Sequence, residues 1–258
     1  MNASGNLVAL GTIVRREIVR IMRIWTQTLI PPAITMTLYF VIFGKLIGSR
    51  IGTIEGGFTY MQYIVPGLVM MSIITNSYGN ISSSFFGAKF SRAVEEMLVS
   101  PMPNWVILLG YVTGAVTRGM IVGALVLVIA LFFTHLQVVH PLITFASVLL
   151  GATIFSLAGF VNAVYAKKFD DIALVPTFVL TPLTYLGGVF YSVNMLAEPW
   201  QSISRVNPIL YMVNAFRFGV LGVSDVSIGV AFAVMLVFVA GLAAIALYLL
   251  KRGVGLRS

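Results

Sequence analysis

Long stretches without a charged side chain dominate the chain. They run from Ile24 to Gly44, Gly56 to Ala88, from Met97 onward with Arg118 as the sole interruption, Gly119 to Ala166, Ile172 to Ala197 and Val226 to Leu250. About 20 apolar residues in helical form cross the hydrocarbon core of a bilayer, so each run predicts a membrane span. The Gly119 to Ala166 run is too long for one span, and a turn from His135 to Pro141 divides it. Six spans result, at 26–47, 58–88, 105–134, 142–166, 172–191 and 227–250.

Two amphipathic segments flank these runs. At about 100° per residue, Leu7, Leu10, Val14, Ile18, Ile21 and Trp25 fall on one stripe, with Arg16, Arg20 and Arg23 on the opposite face. This predicts a helix over 7–25 lying in the membrane interface. It is expected to stay in the mature chain, because its arginines follow the apolar part instead of preceding it, unlike a signal peptide. Between spans two and three, a helix over 90–100 carries an apolar face of Phe90, Val94, Met97 and Leu98 and a charged face of Arg92, Glu95 and Glu96, ended by Pro101. Two acids on that face suit a protein partner better than an anionic lipid surface. The segment 195–222 is too apolar for a free loop and is expected to dip into the membrane or lie on it.

Composition agrees with an all-α membrane protein. Of 258 residues, 59% are hydrophobic and 9% charged, too few charges to cover a soluble surface. The spans leave no room for a soluble catalytic domain, so residues 1–258 read as a single membrane domain. Basic residues collect on alternate sides. Arg15, Arg16, Arg20, Arg23, Lys89, Arg92, Lys167, Lys168, Lys251, Arg252 and Arg257 stand against Lys45, Arg50, Arg205 and Arg217, which places both termini in the cytoplasm. The net charge of +8 is assigned to loops at an anionic leaflet, with no nucleic acid as partner. With no cysteine, thiol chemistry and thiolate metal sites are excluded.

A gradient-driven carrier normally needs a buried ionisable group. All eight acids, Glu17, Glu55, Glu95, Glu96, Asp170, Asp171, Glu198 and Asp225, sit between runs or at their ends, so neither a proton relay nor a catalytic or metal-binding site is expected. Arg118 is the charge well inside a span, among Gly110, Gly114, Gly119 and Gly123, two pairs with close-packing GxxxG spacing. It reads as an anchor, or as a group that faces an aqueous cavity or pairs with an acid near the cytoplasmic rim. Two polar stripes have helical spacing: Asn76, Asn80, Ser83 and Ser84 in span two, and Thr177, Thr181, Thr184 and Gly188 in span five. They bond helices together or line a translocation path. Pro176 and Pro182 permit kinks in span five. No G-x-x-x-x-G-K-[ST] loop is present, so any ATP is handled by a partner.

The chain resembles the ABC-2 family of ATP-binding-cassette transporter permeases. The resemblance covers nearly its whole length and rests on Arg92-Ala93-Val94-Glu95-Glu96-Met97-Leu98-Val99-Ser100-Pro101, on Leu174-Val175-Pro176-Thr177-Phe178 through Leu186-Gly187-Gly188-Val189-Phe190-Tyr191, and on Asn207-Pro208-Ile209 followed by Phe216-Arg217. It implies a half-transporter of the bacterial inner membrane: a homodimer with two copies of a separate ATPase subunit that binds Mg-ATP. The N-terminal helix would be the connecting helix and Phe90 to Ser100 the coupling helix, with Phe90, Arg92, Val94, Glu95, Glu96, Met97 and Leu98 meeting the ATPase. Spans two and five would line the path, capped outside by re-entrant helices at 195–222, and export would be the direction. Many members carry Gly-Thr where this chain has Arg92-Ala93. A solitary carrier or channel, and a membrane scaffold for a partner complex, are the alternatives.

Overall fold

The computed structural model describes residues 3–52, 54 and 57–255, with Lys45 described in its backbone alone. Glu55 and Arg257, counted among the charges above, lie outside the described residues. No β-strand forms among the described residues.

Helix α1 covers Ala3–Arg23 and breaks at Ile24, whose backbone leaves helical values (φ −106°, ψ 31°). Helix α2, Trp25–Ile51, widens into a π-helical stretch at Phe40–Ile47. Helix α3, Tyr60–Phe90, starts on a capping box: Thr59 accepts from the Gln62 amide, and Gln62 Oε1 accepts from the Thr59 amide at 3.0 Å. The short α4 is Ala93–Val99, α5 is Asn104–Leu131 and α6 is Pro141–Tyr165, opened by a proline at its first turn. Helix α7 covers 169–185 in three pieces, Phe169–Val175, a π-helical Pro176–Leu180 and Thr181–Tyr185. Helices α8, Trp200–Val206, α9, Pro208–Leu221, and α10, Ile228–Arg252, complete the chain.

Among the described residues, four helices are long and apolar enough to cross a membrane: Trp25–Ile51, Asn104–Leu131, Pro141–Tyr165 and Ile228–Arg252. They coincide with expected spans one, three, four and six, and the His135 to Pro141 turn separates α5 from α6 as the sequence implied. Expected span two is helix α3, which at 31 residues extends about 46 Å, more than a hydrocarbon core. Its lower apolarity has a physical reason. It stands at the centre of the bundle, flanked by α5, α6 and α9, with most of its side chains buried against them. Expected span five is the interrupted α7, which touches the bundle lightly and leaves Phe178 72% exposed.

Missing side chains decide how closely these helices approach. A Cβ on Gly119 would lie 1.9 Å from Ser77 Oγ, and one on Gly123 2.5 Å from Ile73 Cγ1, so this pair admits α3. One on Gly110 would lie 2.5 Å from Ile13 Cγ2, and one on Gly114 2.5 Å from Glu17 Cβ, so the other pair admits α1. The two GxxxG pairs of α5 thus serve different partners. On α3, Gly67 meets backbone: a Cβ there would lie 2.3 Å from the Val189 carbonyl oxygen and 2.8 Å from its Cα. We expect Gly67→Ala to destabilise the purified chain by about 2 kcal/mol through overpacking, because backbone cannot retreat as a side-chain tip can. Gly241→Ala on α10, where nothing lies within 4 Å, should leave the melting temperature unchanged or slightly raised. Thermal unfolding in one detergent reads both.

Candidate functional site

Polar side chains gather where α1 meets α3 and α5. Glu17 is 1% exposed, and its carboxylate lies 3.0 Å from Arg20 Nη2 and 3.6 Å from Arg16 Nη2. Ser84 donates its hydroxyl to the same carboxylate at 2.7 Å, and Arg20 also donates to Asn80 Oδ1 at 2.7 Å. Arg16 donates to the Tyr111 hydroxyl and lies 5.1 Å over that ring. A carboxylate out of water needs this many donors.

The amphipathic pattern had set Arg16, Arg20 and Arg23 together on a face away from the apolar stripe. The structure corrects this: Arg20 turns toward Glu17 and Asn80, Arg16 reaches Glu17 and Tyr111 while staying exposed, as does Arg23, and Leu7, Ile18 and Trp25 of the stripe are left uncovered. Asn80 and Ser84, expected on a path, belong instead to this junction. Glu17 was read as a residue at the end of a run. The signal that marks it is an acid between Arg16 and Arg20 on a helix that must pack somewhere.

The remaining polar residues of α3 form an open flank. Thr75, Gly79 and Ser83 are exposed and Asn76 half-buried, with nothing within 4 Å of a Cβ on Gly79. Asn76 and Ser83 spend donors on their own helix, to Ser72 O at 3.0 Å and Gly79 O at 2.8 Å. On α7, Thr177 and Thr181 are exposed, whereas Thr184 is buried and bonded to Leu180 O, a departure from the expected three-residue stripe. The widened turn of α7 lies between its two prolines. Pro182 has no amide to donate, and its ring crowds the preceding turn, which favours the wider coil.

The segment over 90–100 is helical from Ala93 to Val99, but its faces differ from expectation. Val94 is fully buried, and Met97 and Leu98 pack partly on the bundle, so these three attach α4 to its own subunit. Phe90, Arg92, Glu96 and Val99 face outward, with Glu95 half-buried. Arg92 caps the helix in the left-handed region, φ 61°, where a side chain costs about 1 kcal/mol and glycine costs nothing steric.

Below α4, Lys89 donates to Val164 O and Ala166 O at 2.6 Å each, closing the C-terminus of α6. Phe86, Phe90 and Phe169 cluster, Phe86 and Phe169 edge-to-face with centroids 4.9 Å apart and Phe90 and Phe169 tilted at 5.3 Å. Asp171, in the turn ahead of the expected span, accepts the amides of Lys167 and Lys168, and the Lys167 amide above all holds its carboxyl below the usual range. The end of α3, which leads into α4, the end of α6 and the start of α7 are therefore one connected block.

At the other end of the molecule, Arg217 is fully buried, 4.0 Å over the Tyr63 ring and 4.0 Å from Asp225 Oδ2, and donates to Gly188 O at 2.6 Å. Asn207 donates to Leu183 O at 2.6 Å while its oxygen caps Ile209 N. The Asn207-Pro208-Ile209 and Phe216-Arg217 motifs thus hold the tail of α7 against α9 and α3. Arg217 and Asp225 also border a cavity of about 480 Å³ with Asn194, Ser224 and Ser227.

Two substitutions test these assignments. Glu17→Ala should destabilise the chain by about 2 kcal/mol, less than for a wholly enclosed ion pair because Arg20 keeps part of its side chain open. Hydrogen exchange should rise over residues 3–23 and not over α6. At Arg92, a change to Val should lower the melting temperature by an amount equivalent to about 1 kcal/mol, whereas a change to Gly should not, since only the β-branched side chain resists positive φ.

Comparison with known proteins matches this architecture to a single family. Residues 8–221, from α1 to the end of α9, match the family model described as ABC-2 type transporter. The chain is 59% identical over 251 residues to the inner membrane transport permease YadH of Escherichia coli strain K12, covering 97% of this chain and 98% of that protein. It is 26% identical over 186 residues to Nodulation protein J of Rhizobium leguminosarum bv. trifolii, covering 72% of this chain and 71% of that one. With most of its length accounted for in this way, the chain belongs to the ABC-2 type transporter family.

Proposed function

We propose that this chain is the permease subunit of an ATP-binding-cassette exporter. Two copies pair across the exposed flanks of α3 and α7, and two copies of a separate ATPase subunit bind Mg-ATP and dock on α4. The chain sits in a bacterial inner membrane, as the name of the YadH relative says of that protein, with both termini cytoplasmic. Six spans cross it, α3 and α7 being the second and fifth, and α8 and α9 form the outer re-entrant segment.

The observation that carries this reading is the outward face of α4 together with its backing. Phe90, Arg92, Glu96 and Val99 are left uncovered on a helix whose inner face is fixed by Val94 and whose base is tied through Lys89 to α6 and through Phe169 to α7. Such a helix transmits force from a partner into the bundle. ATP binding draws the two α4 helices together and rocks the subunits, switching access to the path between them. Thr75, Asn76, Gly79 and Ser83 of α3, with Thr177 and Thr181 of α7, line that path. Sparse hydroxyl and amide groups on an apolar wall suit an amphiphilic or lipid-linked cargo better than a metal ion or a sugar phosphate.

A solitary proton-driven carrier is the weaker reading, because the buried acids are committed. Glu17 is held by Arg16, Arg20 and Ser84, and Asp225 by Ser192 and the Val193 amide. The decisive experiment is gentle purification of the tagged chain from its native membrane. A P-loop ATPase should co-purify with vanadate-sensitive Mg-ATP hydrolysis. Glu96→Lys, which reverses a charge on the docking face, should reduce that coupled hydrolysis by about tenfold with membrane insertion unchanged. A chain that purifies alone, or hydrolysis indifferent to Glu96→Lys, would count against the assignment of α4.

A further inference from the structure

One charge in the bundle has no protein partner. Arg118 on α5 makes no hydrogen bond or ion pair among the described residues, and its Nε is shut off from solvent without an acceptor. The charge that acts on it is Arg20, of the same sign. Glu17 does not offset this, because its carboxylate is already shared between Arg16, Arg20 and Ser84. The junction therefore holds three guanidinium groups against one carboxylate.

A second unpaired donor sits on α3. Asn80 is fully buried, and its oxygen must face Arg20, since a guanidinium donates and cannot accept. Its amide nitrogen is then presented as a donor, and it has no acceptor among the described residues. The packing brings these groups to one level. Gly110 receives Ile13 and Gly114 receives Glu17, so one turn further on Arg118 faces the end of α1, where Arg20 reaches across to Asn80.

The level is informative. Helix α1 ends at Arg23, the backbone breaks at Ile24, and the apolar span begins at Trp25, which is 53% exposed as tryptophans at a membrane boundary are. Excess positive charge and unfilled donors thus lie at the depth of lipid headgroups, beside α1, whose Leu7, Val19 and Met22 are uncovered. We propose that the guanidinium groups of Arg20 and Arg118 bind a phosphate group, supplied by an anionic phospholipid of the leaflet on which α1 lies. The group neutralises Arg118 and bolts α1 to α5 through a ligand where protein supplies no acceptor.

The test is thermal unfolding of the full-length chain in nanodiscs of phosphatidylglycerol or of phosphatidylcholine, with native mass spectrometry of retained lipid. Wild type should melt higher in phosphatidylglycerol and retain it after delipidation. Arg118→Gln should weaken retention about tenfold, as expected for a lost charge-assisted hydrogen bond. Arg118→Lys should recover most of it, and Arg23→Gln, an exposed arginine outside this pair, should change nothing. Inorganic phosphate added to the phosphatidylcholine sample distinguishes the source: stabilisation by phosphate alone, lost in Arg118→Gln, would keep the site and replace lipid by the free anion. Equal melting in all samples, or a phosphatidylglycerol preference that persists in Arg118→Gln, would overturn the proposal.

Discussion

Helices surrounded by hydrocarbon gain little from burying apolar surface against one another, so close approach and polar bonds must hold them. Helix α5 meets this constraint with four glycines. Two let α3 lie against it and two let α1 do so, and the second contact places Glu17 on the Gly114 backbone. Once a carboxylate is fixed there, the surrounding donors follow: Arg16, Arg20 and Ser84 satisfy it, and Arg20 reaches on to Asn80. The N-terminal helix is in this way part of the bundle and not merely a float on its surface.

From that centre the structure divides into a firm part and a loose part. Helices α3, α5, α6, α9 and α10 pack extensively, while α7 touches the bundle lightly and exposes Phe178. Transport by alternating access needs such a division, with one body rigid enough to carry force and another free enough to change shape. Helix α4 belongs to the firm part through Val94, and the end of α3 before it is tied to α6 by Lys89 and to the loose part by the Phe86–Phe169 contact.

The sequence revealed what depends on runs and spacing. Four spans, the turn before Pro141, the helical segment at 93–99 and the packing use of Gly110, Gly114, Gly119 and Gly123 all follow from periodicity and residue size. What it concealed depends on three-dimensional partners. Asn76 and Asn80 are one helical turn apart, yet one borders the open flank and the other meets Arg20, a difference set by which neighbour α1 happens to cover. Val94 looked like a docking residue because an apolar side chain on a short amphipathic helix does not declare whether its own subunit or another protein will cover it. The widened turn in α7 was announced by Pro176 and Pro182, but its π-helical form was not.

The ends of α7 carry a mechanical consequence. At one end Phe169 meets Phe86 edge-to-face and Asp171 accepts the preceding amides; at the other, Asn207 grips Leu183 and Arg217 grips Gly188. Between them lies the coil at Pro176–Leu180, with a wider bore and softer hydrogen bonding than a regular helix. A rod clamped at both ends and softened in the middle does not swing like a door; it bows. Compression between the two clamps would push Phe178 and its neighbours sideways while the ends stay in place, so a small axial load becomes a lateral bulge at mid-helix.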